Sequence, residues 1–154
     1  MKLRDLADLL ERTVEDFRQS PTHWQFAHQD IPMACLIDSN FDRMRLIAPI
    51  TELEGLDSST KEAILEANFH TALDARYASS NGLLFAAFIH PLSSLDEPLA
   101  RSALDQVASL VHTFGTHFSS GTIEFVSAPG ARSARPEGLD LDLDDDDDDT
   151  PLLN

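Results

Sequence analysis

The chain has 154 residues, 42% of them apolar, and a formal net charge of −16 at pH 7. That length fits one domain with room for a tail, and the apolar share supports a core of roughly 100–130 residues. No apolar run approaches the ~20 residues of a membrane-spanning helix, charges interrupt the N-terminal leucines where a secretory signal would be apolar, and an acidic surface repels phosphate, which argues against direct nucleic-acid binding.

In chain order, residues 2–18 read as an amphipathic helix. Leu3, Leu6, Leu9, Leu10, Val14 and Phe17 recur at three- and four-residue steps, with Arg4, Asp8, Glu11, Arg12 and Glu15 on the other face. Ser20-Pro21 stops it, because proline cannot continue the hydrogen-bond ladder. A strand follows at 23–28 with Trp24 and Phe26 on one face, then a second at 31–37, with Pro32 near its start where a lost donor is tolerated. Asp38-Ser39-Asn40 turns the chain into a third strand at 41–50. There Met44, Leu46, Ala48 and Ile50 share a face and Arg43 and Arg45 take the other.

A second helix is expected from Ser59, which with Glu62 makes a capping box. Its apolar row is Leu65, Phe69 and Leu73, flanked by Ile64 and Ala72. Asn68 lies inside that stripe, and an amide there needs nearby backbone to bond. Residues 75–79 and 83–90 pair as a hairpin around Asn81-Gly82, since both turn residues accept positive φ. The second arm, Leu83 to Ile89, is apolar on both faces, so both faces must be covered.

A last helix starts around Ser94–Pro98, with Ser94 and Glu97 as a second capping box, and runs to Phe118 through Leu99, Ala103, Val107, Leu110, Val111 and Phe114. Thr122–Val126 reads as a short closing strand. Beyond Ser127 come Pro129, Gly130, Pro136 and Gly138, alternating Leu139, Leu141 and Leu143, and six consecutive aspartates at 144–149. Glu137 and the eight aspartates from Asp140 to Asp149 carry −9 of the charge and leave about −7 on residues 1–136. The division is therefore a folded domain at 1–127 and a disordered acidic tail at 128–154.

Motifs for catalysis are missing from this pattern. There is no phosphate-cradling glycine loop and no Gly-x-Ser-x-Gly elbow. His112 and His117 are five apart on a helix, turned roughly 140° from each other, and His23 and His28 fall on opposite faces of a strand. The aspartate run lacks the alternating ligands and central glycine of a calcium loop. The lone Cys35 excludes an internal disulfide, reads as a small buried hydrophobe and fits a reducing cytoplasm. The expectation is a non-enzymatic protein with no cofactor and no metal.

Arg43-Met44-Arg45-Leu46-Ile47-Ala48-Pro49-Ile50, then Leu65-Glu66-Ala67-Asn68-Phe69, then the Asn81-Gly82 hairpin and the Pro91-Leu92 step resemble the Tir chaperone family. These are small acidic type III secretion chaperones, and a YbjN-like group shares their fold. The resemblance covers residues 2–118. It implies an α+β, single-domain α-β-β-β-α-β-β-α fold with an antiparallel sheet packed on helices. It also implies a homodimer that holds an extended segment of a client or effector protein on hydrophobic patches, without nucleotide.

On that reading Leu84, Ala86 and Phe88 face outward toward a dimer seam or client groove, opposite Leu83, Phe85 and Ile89. The strand at 23–28, with Trp24 and Phe26, offers an edge for strand addition. Asn68 is a structural polar residue. The alternative is a YbjN-like regulatory module acting on a folded signalling partner. A further reading makes the acidic tail the functional element, imitating nucleic acid to occupy a basic protein.

Overall fold

The computed structural model describes residues 1–115. Three helices and six strands run in the order α1 (Leu3–Thr13), β1 (Glu15–Gln19), β2 (His23–His28), β3 (Ile31–Asp38), β4 (Arg43–Glu52), α2 (Ser58–His70), β5 (Arg76–Ser80), β6 (Leu83–His90) and α3 (Glu97–Thr113). The strands form one antiparallel sheet in the spatial order β1-β2-β3-β4-β6-β5. All three helices contribute to a single core cluster on one face of that sheet. The result is the expected α+β layering, with one strand more within residues 1–115 than the sequence pattern implied.

The extra strand comes from the N-terminal segment. The helix expected over 2–18 ends at Thr13, and Val14 is already extended. Residues 15–19 form β1 instead, with Asp16 at φ 53° and a bulge between Glu15 and Arg18. Phe17 fits a helical period from Val14, yet it packs edge-on against Trp24, with ring centroids 5.9 Å apart. Pairing with β2 satisfies the backbone of these residues and buries that ring, which one more helical turn would not achieve.

Turn chemistry sets the other strands. Asn81 and Gly82 both have positive φ and close the β5–β6 hairpin. Gln29 and Asp30, also both at positive φ, close β2–β3 without a glycine. Between β3 and β4 the Asp38 carboxylate accepts from the N–H groups of Asn40 and Phe41, at 3.1 and 3.2 Å, which moves the start of β4 to Arg43.

The helix starts differ from those expected. Asp57, not Ser59, caps α2: its side chain accepts from the Thr60 N–H at 2.7 Å. The Thr60 hydroxyl and N–H and the Ser59 hydroxyl hold its carboxyl below the usual range. Asp96, not Ser94, caps α3, accepting from the Leu99 N–H at 2.8 Å. In each case an aspartate two residues away, before Ser59 and after Ser94, outcompetes the serine because a carboxylate accepts more strongly at a helix N-terminus. α3, expected to run to Phe118, ends at Thr113: Phe114 has already left the helical conformation and Gly115 has positive φ. Residues 116–118, the strand at 122–126, the domain boundary and the acidic tail lie outside the described residues.

α3 is the main cover of the sheet. Ala100, Ala103, Leu104, Val107, Ala108 and Leu110 are buried on its inner face, over β4 and β6. Opposite them the sheet presents Met44, Leu46, Ala48, Leu84, Ala86 and Phe88. Leu6, Leu9 and Leu10 of α1 close the core near Trp24 and Phe26. Leu104→Ala, at the centre of this layer, is expected to cost about 2–5 kcal/mol. Urea unfolding checks this: the midpoint should fall with an unchanged slope.

Candidate functional site

The expected outward face of β6 is reversed. Leu84, Ala86 and Phe88 are buried in the core cluster, at 3%, 0% and 2% exposure. The opposite row of Leu83, Phe85, Ala87 and Ile89 lines the outer face, with Ile89 the exposed member. The register is the reason. Arg45 pairs with Ile89 and Leu46 with Phe88, so the strand whose charges mark its outer face dictates the parity of a neighbour that is apolar on both.

Trp24 and Phe26 are also core residues, and β2 is not an edge, because β1 lies outside it. Phe17 of β1, half-buried, is the aromatic that stands over both of them. β1 is thus the outer strand on this side, and no described strand pairs with its far edge.

At the other end of the sheet the edge is capped at Tyr77. The Tyr77 N–H of β5 donates to Asn68 Oδ1 at 2.8 Å, and Asn68 Nδ2 donates to the Tyr77 carbonyl at 3.0 Å. The amide of one α2 side chain therefore mimics a neighbouring strand. Gln106 of α3 accepts from the N–H groups of Asp74 and Ala75 at 2.8 and 3.0 Å and fixes the approach to β5. The Tyr77 hydroxyl donates to the Leu110 carbonyl at 3.1 Å, and burial pushes its pKa up to about 12.

With Asn68 turned to β5, α2 packs through Ile64 and Ala67. The row read from the sequence as its inner face points the other way. Leu65 and Phe69, one helical turn apart on α2, are 69% and 83% exposed, and Leu73, in the segment that follows the helix, is 70% exposed. Both flanks of α2 carry apolar residues, so periodicity could not rank them; the amide could, since its hydrogen bonds fix which flank meets the strand. Three large exposed apolar side chains on and just after α2 are the most conspicuous recognition feature among the described residues.

Chemistry of other kinds finds little to work with. Among the described residues no three His, Cys, Asp or Glu side chains gather to hold a metal ion. Cys35 is 1% exposed, and burial pushes its thiol up to about 12, the state of an inert thiol. No described helix is long and apolar enough to cross a membrane.

Comparison with solved structures finds the same fold in proteins of type III secretion. A chain of the HopA1–SchA chaperone–effector complex aligns with a TM-score of 0.54 at 12% identity, over 70% of this chain and 87% of that one. A chain of the heterodimeric ExoU–SpcU complex from the type III secretion system of Pseudomonas aeruginosa gives 0.56 at 11% identity, over 72% and 96%. The structure of the Yersinia pestis type III secretion chaperone SycH in complex with a stable fragment of YscM2 gives 0.53 at 14% identity, over 70% and 98%. The chain thus has a type III secretion chaperone-like fold. No family model matches the sequence. No curated protein matches it either.

Two expectations follow from the burial pattern. Phe88→Asp should unfold the chain rather than selectively weaken an interface, because it puts an unpaired charge between the sheet and α3. Far-ultraviolet circular dichroism should show loss of structure; a folded variant would contradict the assigned parity. Cys35 should be unreactive toward a thiol reagent such as dithiobis(nitrobenzoate) in the native protein and react fully in guanidinium, where a native-state reaction would contradict its burial.

Proposed function

We propose that this chain is a non-enzymatic, homodimeric, type III secretion chaperone-like protein that holds an extended segment of a client or effector in the cytoplasm. The observation that carries the reading is the fold itself. It spans nearly the full length of chains solved in complexes with effectors or with secretion-system fragments.

The surface supports a division of labour. The exposed side chains of Leu65 and Phe69 on α2, with Leu73 just beyond its end, suit a second copy of the chain: they form an apolar patch that a two-fold axis can pair with itself. The α2 helix that carries Leu65 and Phe69 is anchored to β5 by Asn68, so these two side chains are presented on a rigid support. The far edge of β1 suits an extended client, since unpaired backbone groups there can accept an added strand. Phe17, seated on Trp24 and Phe26, supplies apolar contact beside that edge. On this reading Leu84, Ala86 and Phe88 serve recognition indirectly, by holding the sheet flat beneath α3.

Affinity capture from native lysate with tagged full-length protein, followed by mass determination of the eluted complex, tests the client. Two copies of this chain with one protein whose bound segment is protease-sensitive would support the chaperone reading. A stable complex with a fully folded signalling protein would shift it to a YbjN-like regulatory module. For the dimer, Phe69→Asp should lower the light-scattering mass from twice to once the 17.0 kDa of the chain, with circular dichroism unchanged. A folded variant that stays dimeric would overturn the α2 seam.

A further inference from the structure

The outer face of the sheet carries a charge opposite in sign to the chain as a whole. The register aligns one row across all six strands: Arg18, Gln25, Ala34, Ile47, Ala87 and Arg76. The row beside it runs His23, Leu36, Arg45 and Ile89, and Arg43 follows two residues from Arg45. Arg18, Arg43, Arg45 and Arg76 are all exposed, and none lies within ion-pair distance of a carboxylate among the described residues. Arg76 bonds only the carbonyls of Leu73 and Ala75. The carboxylates of this face are peripheral: Asp38 opposite Arg43, Glu52 beside Leu83, and Glu15 on β1. Between the arginines lie Leu36, Ile47 and the exposed Ile89.

We propose that the chain's own segment Leu139–Asp149 docks on this outer face, its aspartates against Arg43, Arg45 and Arg76. The segment alternates Leu139, Leu141 and Leu143 with aspartates and ends in six aspartates, so it offers both the charge and the apolar contacts the face lacks. Its reach is ample. Twenty-four residues lie between Gly115 and Asp140, a contour of up to about 85 Å, whereas the six-strand row is about 24 Å wide. Other surfaces attract it less: β1 carries Glu15 and Asp16 beside Arg18, and α2 carries Glu62 and Glu66 beside Lys61. Each exposed Asp–Arg contact is weak alone, but tethering makes the set intramolecular and effective. A face held in this way is closed to other acidic segments until they outcompete the tail.

The test uses the full-length protein with Cys35→Ser and Asp149→Cys, carrying a nitroxide at the new thiol and uniform nitrogen-15 labelling. The expected result is broadening of the amide signals of Arg43, Arg45, Ile47, Ile89 and Arg76. It should be lost in about 0.5 M NaCl, where the Debye length is about 4 Å, and lost when Arg43→Ala and Arg45→Ala are added to a chain whose remaining spectrum is unchanged. No broadening, broadening centred on β1 or α2, or broadening that survives the double substitution would overturn the proposal. A mixture of nitroxide-bearing unlabelled chain with labelled untagged chain should show none. Broadening there would assign the face to the tail of a second copy and overturn the intramolecular form.

Discussion

The antiparallel ladder between β4 and β6 is the constraint on which the remaining structure depends. β4 announces its two faces, with Arg43 and Arg45 on one and Met44, Leu46 and Ala48 on the other; β6 announces neither. Pairing Arg45 with Ile89 and Leu46 with Phe88 transfers the pattern of one strand to the next. A slip of one residue would turn Phe85 and Ile89 inward and set Phe88 in water. The ladder also juxtaposes Ala48 and Ala86, both fully buried, so the sheet has a shallow site at its centre. Through it α3 approaches closely with its own Ala100, Ala103 and Ala108, and small side chains on both layers leave room for Leu104 and Val107 to fill the space between them.

Legibility in the sequence followed how much each residue's local preference exceeded its tertiary role. Asn81-Gly82 declared its hairpin because few other conformations suit that pair. Strand β2 and helix α3 were readable from unambiguous periods. The end of α1 was not: Val14 and Phe17 continue a helical stripe, and only contact with Trp24 on a later strand favours extension. The Gln29-Asp30 turn was silent because neither residue is a glycine, although both take positive φ. Helix starts moved to Asp57 and Asp96 for a local reason that a serine-centred capping pattern overlooks.

The site residues show the same division more sharply. Leu84, Ala86 and Phe88 were chosen from a strand whose two faces are equally apolar, where parity is information held by the neighbour. Leu65, Phe69 and Leu73 were read as buried because apolar rows on helices usually are. The residue that decides against this is Asn68, which lies between the two apolar flanks and must spend its amide on backbone. A polar group with four hydrogen-bonding positions is a stronger constraint than a leucine, since the cost of leaving it unmet is larger than the difference between two apolar packings.

Asn68 also separates the two ends of the sheet in function. By satisfying Tyr77 in both directions it occupies the β5 edge at that residue, which disfavours strand addition there, while Leu65 and Phe69 of α2 stay exposed. At the opposite end no described strand covers β1, and its bulge at Glu15–Arg18 twists the edge and limits indiscriminate pairing. Six strands lie between the proposed dimer seam and the proposed client edge, about 24 Å at ordinary strand spacing. Sites that far apart with no shared side chains behave nearly independently. Changing Phe69 therefore leaves the β1 edge intact, and a chain able to take up an extended segment at one end need not release its partner at the other.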